Sequence, residues 1–160
     1  MRITAEAKAE TGAAIRKAAK RPSAERGLEG TSTRDLAQAS QIAAGTLFNY
    51  FPSKEALALT LVAEAIQEAR TAPQDGTSDT PLEACLFDAI ARITWALAPM
   101  RAYLGQVLEA GLSPLAAGAL SPEAQRIRST HLEEVVSILN RYGLASAATP
   151  ASLHLYWALF

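Results

Sequence analysis

Cysteine is almost absent from this chain of 160 residues, which holds only Cys85 and two histidines, His131 and His154. One thiol closes no intramolecular disulfide, and a thiol with two distant imidazoles offers no zinc-ligand spacing. No metal or other cofactor is expected. No stretch reads as a clear membrane span. The first twenty residues are charged and alanine-rich and lack the apolar stretch of a secretory signal. A cytoplasmic protein away from the membrane is the expectation. Alternating β-branched residues are scarce, which argues against a sheet. The glycines are scattered rather than gathered into a phosphate-cradling loop, and no carboxylates converge at defined spacing, so an enzyme is not expected. Acidic and basic residues also run out, since none follows Arg141.

What is present is helical. Alanine and leucine dominate a composition that is 49% hydrophobic, ample for a core and too apolar for disorder. Charge is uneven: residues 1–58 hold nine Lys/Arg against six Asp/Glu, and residues 59–160 hold six against ten. A basic N-terminal part on an acidic remainder fits nucleic-acid contact at one end.

The periodicity predicts a helix over 4–26 running into Gly27 and Gly30. Ser32 starts a second, with Asp35 completing a capping-box pair and Leu36 and Ala39 facing inward. After a break at 40–42, a third short helix covers 43–50. Pro52-Ser53 ends it, and Ser53 caps a fourth, whose buried stripe is Leu57, Leu61, Val62, Ala65, Ile66 and Ala69. A polar linker is expected over 71–80. Thr80-Pro81-Leu82-Glu83 then reads as cap, first-turn proline and third-position glutamate. Leu82, Leu86, Phe87, Ile90, Ile93 and Leu97 form the next stripe, and Pro99 interrupts it. Tyr103, Leu104, Val107 and Leu108 continue up to Gly111. Ser121-Pro122-Glu123 opens a helix ending before Gly143, and Thr149-Pro150 opens the last. That helix ends without charge on Tyr156, Trp157 and Phe160, so it needs a surface to bury against, within the subunit or on a partner.

Residues 31–58, TSTRDLAQASQIAAGTLFNYFPSKEALA, place two short helices around a sharp turn, a helix-turn-helix whose second helix can enter the major groove. Ala44 and Gly45 are small enough to approach base edges. Thr46 and Tyr50 carry hydroxyls for phosphates, Asn49 can bond a base edge or phosphate, and Lys54 begins the next helix. Leu47, Phe48 and Phe51 read as core.

The string GTLFNYFPSKEAL preceded by TSTRDLA resembles the DNA-binding domain of the TetR family, over roughly residues 10–66. The resemblance implies an all-α chain. Residues 1–53 would be a three-helix helix-turn-helix DNA-binding domain, 54–70 would start the connecting helix, and 71–160 would form a helical ligand-binding and dimerisation domain. It implies a homodimer on a palindromic double-stranded DNA operator, released by a small-molecule effector, hence a ligand-relieved repressor. By position, Arg34, Ala44, Gly45, Thr46 and Asn49 match base or backbone contacts, and Tyr50 and Lys54 match phosphate clamps. Relative to typical members the chain is expected to be truncated at the C-terminus.

Three positions depart from the family pattern. Pro22-Ser23 replaces an apolar–aromatic pair inside helix 1, and an interior proline costs roughly 3 kcal/mol, so a break near Arg21 is expected. Gln41 stands where glycine usually takes a left-handed conformation. Ala43 replaces a capping serine. The effector pocket is expected among Phe87, Trp95, Met100, Tyr103 and Tyr142, with Arg101, Glu109 and His131 as candidate polar contacts. The dimer interface is expected at Leu153, Tyr156, Trp157 and Phe160. Cys85 reads as inert core and His154 as core or interface. The competing reading is a helical interaction module with an impaired DNA-binding motif.

Overall fold

The computed structural model describes residues 4–27, 29–71, 80–111 and 121–159. Every described element is helical: α1 (Ala5–Arg26), α2 (Thr33–Ala39), α3 (Ala44–Leu47), α4 (Lys54–Thr71), α5 (Leu82–Leu97), α6 (Arg101–Gly111), α7 (Pro122–Arg141) and α8 (Pro150–Leu159). The expected linker over 71–80 lies almost wholly outside the described residues. No described helix is long and apolar enough to cross a membrane, and no cluster of metal-binding side chains occurs among the described residues.

The chain divides into two compact units. One comprises Met1–Leu61 with Pro99–Ala110, the other Val62–Ala98 with Gly111–Phe160. The first therefore takes in most of α6, from far along the chain. Pro99 sits in a 3-10 turn, Ala98–Met100, that separates α6 from α5. Met100, Tyr103 and Val107 are then buried. Burial pushes the Tyr103 phenol up to about 12.

In the first unit α1 packs on α2, and α2 on α3. Thr4 caps α1 by accepting a hydrogen bond from the Ala7 amide. The expected break near Arg21 does not occur. α1 continues through Pro22 to Arg26, although Pro22 has no N–H to offer the Ala18 carbonyl and crowds it with its ring. The last turn is secured from outside. Buried Thr31 donates its hydroxyl to the Gly27 carbonyl at 2.7 Å and lies 3.1 Å from that of Pro22. Gly27 ends the helix at φ +69°, where its missing Cβ would sit 3.2 Å from the Ala102 carbonyl oxygen. Ile15, Ala19, Leu36, Ala37, Leu47 and Leu57 form the core. Ala37 takes the inward place expected of Ala39, which is exposed, since two apolar residues in succession set the buried face of so short a helix.

In the second unit α5 and α8 both pack on α7. Ser121 caps α7 at the Ala124 amide, with Pro122 in the first turn as expected. α5 starts one residue later than expected. Pro81, not Thr80, is its cap, and the Thr80 carbonyl instead accepts the Tyr142 hydroxyl. The Tyr142 hydroxyl also lies 3.1 Å from the Cys85 thiol, so Cys85 is a half-buried bonded group rather than inert core. The bond to Cys85 is the leading cause that holds Tyr142 above its ordinary range.

Two polar groupings lie inside this unit. Arg92 reaches Glu134 at 2.6 Å, Asp88 at 2.8 Å and the Ala69 carbonyl at 2.7 Å, with Glu134 only 3% exposed. Removing one partner of such a pair strands the other charge and costs about 3–5 kcal/mol. Arg92→Ala is therefore expected to lower unfolding free energy by about that amount in urea titration, while Arg70→Ala, whose partner Glu133 is well exposed, should change it by less than about 1 kcal/mol.

His131, 1% exposed, lies 2.9 Å from the Tyr156 hydroxyl and stacks on that ring, with Trp157 tilted beside it. Burial lowers its pKa, and nearby Glu134 opposes that in part. A histidine depressed in the folded state binds fewer protons there than in the unfolded chain, so stability falls as pH drops below the unfolded value near 6.5. Thermal melts from pH 7.5 to 5.5 should show this decline, and His131→Gln should flatten it.

Candidate nucleic-acid interface

The segment 31–58 is built from the ends of its helices. Ser32 Oγ accepts the Asp35 amide at 3.1 Å, and Asp35 Oδ2 accepts the Ser32 amide at 3.0 Å, the reciprocal box expected from the sequence. The bond from the Ser32 backbone is the leading cause that holds the Asp35 carboxyl below its ordinary range, helped by Arg26 at 3.7 Å.

The C-terminal end of α2 sets the corner. Ile42 N–H bonds the Ala37 carbonyl at 3.0 Å and Gln41 N–H the Gln38 carbonyl at 3.1 Å, a Schellman motif with Gln41 at φ +56°. α7 ends the same way, with Leu144 N–H on Leu139, Gly143 N–H on Asn140, and Gly143 at φ +71°. The two caps share their hydrogen bonds, but only the second has the residue that adopts this conformation without strain. The Ser40 hydroxyl adds a bond to the Leu36 carbonyl at 2.7 Å.

α3 is shorter than expected. It spans Ala44–Leu47, and a turn carries the chain through Tyr50, with Phe51 N–H bonded to the Leu47 carbonyl. Ala43 supplies no side-chain cap, as its methyl dictates. Leu47 and Phe51 are buried and anchor the segment. Phe48, expected in the core, is 51% exposed, because the turn that brings Phe51 inward leaves Phe48 outside. Ser53 then caps α4 at the Ala56 amide, and that hydroxyl and the Lys54 charge join the Glu55 backbone in lowering the Glu55 pKa.

The expected contact residues fall on the outside of this anchor. Arg34, Ala44, Gly45 and Asn49 are exposed, and Thr46, Tyr50 and Lys54 are half-buried. A Cβ placed on Gly45 would meet nothing within 4 Å. Packing inside the subunit does not require glycine there, although glycine in a helix costs about 1 kcal/mol relative to alanine.

Residues 15–61 match the family model described as bacterial regulatory proteins, tetR family. Residues 15–61 form a domain of the tetR regulatory family. No curated protein matches the chain in sequence. Among solved structures it is similar to a Vibrio parahaemolyticus protein assigned to the TetR family of transcriptional regulators. The two share 18% identity over 91% of this chain and 76% of that one, with a TM-score of 0.51, a likeness of fold. A Shewanella sp. PV-4 protein assigned to the same family shows 23% identity over 93% and 82% of the two chains, with a TM-score of 0.49.

The remaining expected site residues divide between the two units. Met100 and Tyr103 are buried in the first unit, whereas Phe87, Trp95 and Tyr142 belong to the second. Phe87 and Trp95 are 73% and 79% exposed, since they fall on the side of α5 away from Ala89 and Ile93. Leu153 is half-buried. Tyr156 and Trp157 turn toward α7 of their own subunit, the latter with Arg128 over its ring at 6.0 Å, and Phe160 lies outside the described residues. Arg101 is exposed. His154, expected in core or interface, is also exposed, 3.2 Å from Arg128. Sequence reasoning missed Thr31, Arg92 and Glu134. Only the Asp88–Arg92 spacing carried a readable signal.

The strain at Gln41 generates a test. Gln41→Gly should stabilise the first unit by about 1 kcal/mol, read as a higher denaturation midpoint with unchanged slope. A lower midpoint would remove the left-handed corner from the account.

Proposed function

We propose that the chain is a ligand-relieved repressor that binds a palindromic DNA operator as a homodimer in the cytoplasm. The observation that carries the DNA reading is Gly45. It is a glycine the fold does not need, on an exposed helix held from beneath by Leu47 and Phe51. A residue without a side chain has its use there where another surface must come close, and a base edge in the major groove is such a surface. Arg34, Ala44, Thr46 and Asn49 surround it as base or backbone contacts, while Tyr50 and Lys54 serve as phosphate contacts.

The dimer reading moves along α8. With Tyr156 and Trp157 turned toward α7, the outward apolar group is Leu155, 64% exposed. The effector reading stays with the second unit. A second reading, a helical interaction module, is favoured by the exposure of Phe87 and Trp95 on α5.

Selection from a random DNA library at low salt tests the choice: an enriched palindrome supports the repressor, and folded protein that enriches no site supports the interaction module. On a selected site, Lys54→Ala should weaken binding and reduce the slope of log affinity against log salt by about one. An unchanged slope would take Lys54 out of the phosphate contacts.

A further inference from the structure

Glu134, Ser137, Ile138 and Arg141 recur on α7 at intervals of three and four residues and so share one face. With Arg70, near the end of α4, they line a cavity of about 190 Å³ within the second unit. Pockets for drug-sized ligands run to about 300–1,000 Å³, so this one suits a smaller molecule.

Its chemistry is uneven. Glu134 is committed to Arg92 and buried, which neutralises the one carboxylate in the lining. Arg70 pairs with Glu133, which is 61% exposed, and a pair open to water contributes little and exchanges readily. Arg141 is exposed and makes no ion pair among the described residues. Ile138, 2% exposed, supplies an apolar wall, and Ser137 supplies a hydroxyl. Cations near a helix C-terminus are favoured by the backbone dipole, which accounts for either arginine alone. It does not account for two guanidiniums from different helices converging on one cavity.

We propose that this cavity binds a small organic carboxylate. Arg70 and Arg141 hold the anionic group through their planar N–H forks, Ser137 adds a hydrogen bond, and the hydrocarbon part lies on Ile138. Inorganic phosphate, with no apolar part, gains nothing from Ile138. The proposal names the effector class for the repressor proposed above and rests on that reading for its regulatory consequence. Arg70 lies on the same continuous helix that Lys54 begins.

Calorimetric titration of the whole chain without DNA separates the two. The probes are benzoate, butyrate and succinate, with benzamide and inorganic phosphate as controls. Saturable binding of at least one carboxylate is expected, with no binding of benzamide and weaker binding of phosphate. Arg141→Gln should reduce affinity at least tenfold with the circular dichroism unchanged, and Arg141→Lys should restore part of it. Ser137→Glu, which puts a fixed carboxylate at the cavity, should abolish binding. Failure of all three carboxylates to bind folded protein overturns the proposal, as do equal affinity after Arg141→Gln and phosphate binding as tight as the carboxylates. Carboxylate binding that leaves DNA affinity unchanged upholds the site and counts against ligand relief alone.

Discussion

The corner between α2 and α3 depends on two backbone hydrogen bonds and one residue held at φ +56°. If Gln41 relaxed out of the left-handed region, the bond from Ile42 to Ala37 would open, and α3 would lose its angle to α2. The outward face proposed to meet DNA follows from that angle. Leu47 and Phe51 enter the core only if α3 leaves the corner in this direction, and Gly45 and Asn49 are outward only because Leu47 and Phe51 are inward. The same cap on α7 uses glycine at no strain, so the hydrogen-bond pattern does not demand glutamine at the first site. Strain of this kind persists only where surrounding structure over-determines it. Here the reciprocal Ser32–Asp35 box and the Ser40 hydroxyl secure α2 at both ends.

Much of the first unit was readable from local chemistry. The Ser32–Asp35 box and the Ser53 cap are each decided within four residues, where propensity and hydrogen bonding suffice, while the left-handed position at Gln41 and the absent cap at Ala43 follow from the family resemblance. The break expected at Pro22 follows from local cost alone and does not occur. Thr31, nine residues on, reaches back to the carbonyls at the end of α1, and that contact is invisible in the periodicity. Phe48 was misplaced for a related reason: a string of aromatics says that some are buried, but the turn after Leu47 decides which.

The second unit was less legible. Its helix starts at Ser121 and Thr149 and its stop at Gly143 follow local rules, and the structure has them. Its polar interior rests on pairs far apart in sequence, Arg92 with Glu134 and Arg70 with Glu133. Phe87 and Trp95 face outward and Tyr142 is held by Cys85 and Thr80, and neither arrangement is set by the helical periodicity. The residues around the cavity at Arg70 and Arg141 are mostly polar, and no single helix contains them all.

The central claim is that the outward face of the α2–α3 corner is the surface that meets DNA. It is tested most directly by backbone amide NMR of the labelled chain, titrated with a duplex recovered from library selection. The account predicts that the largest shifts fall at Arg34, Ala44, Gly45, Thr46 and Asn49 and at the start of α4, with the amides of α7 and α8 little changed. Large shifts confined to α5 or α8, with Gly45 and Asn49 unmoved, would contradict it.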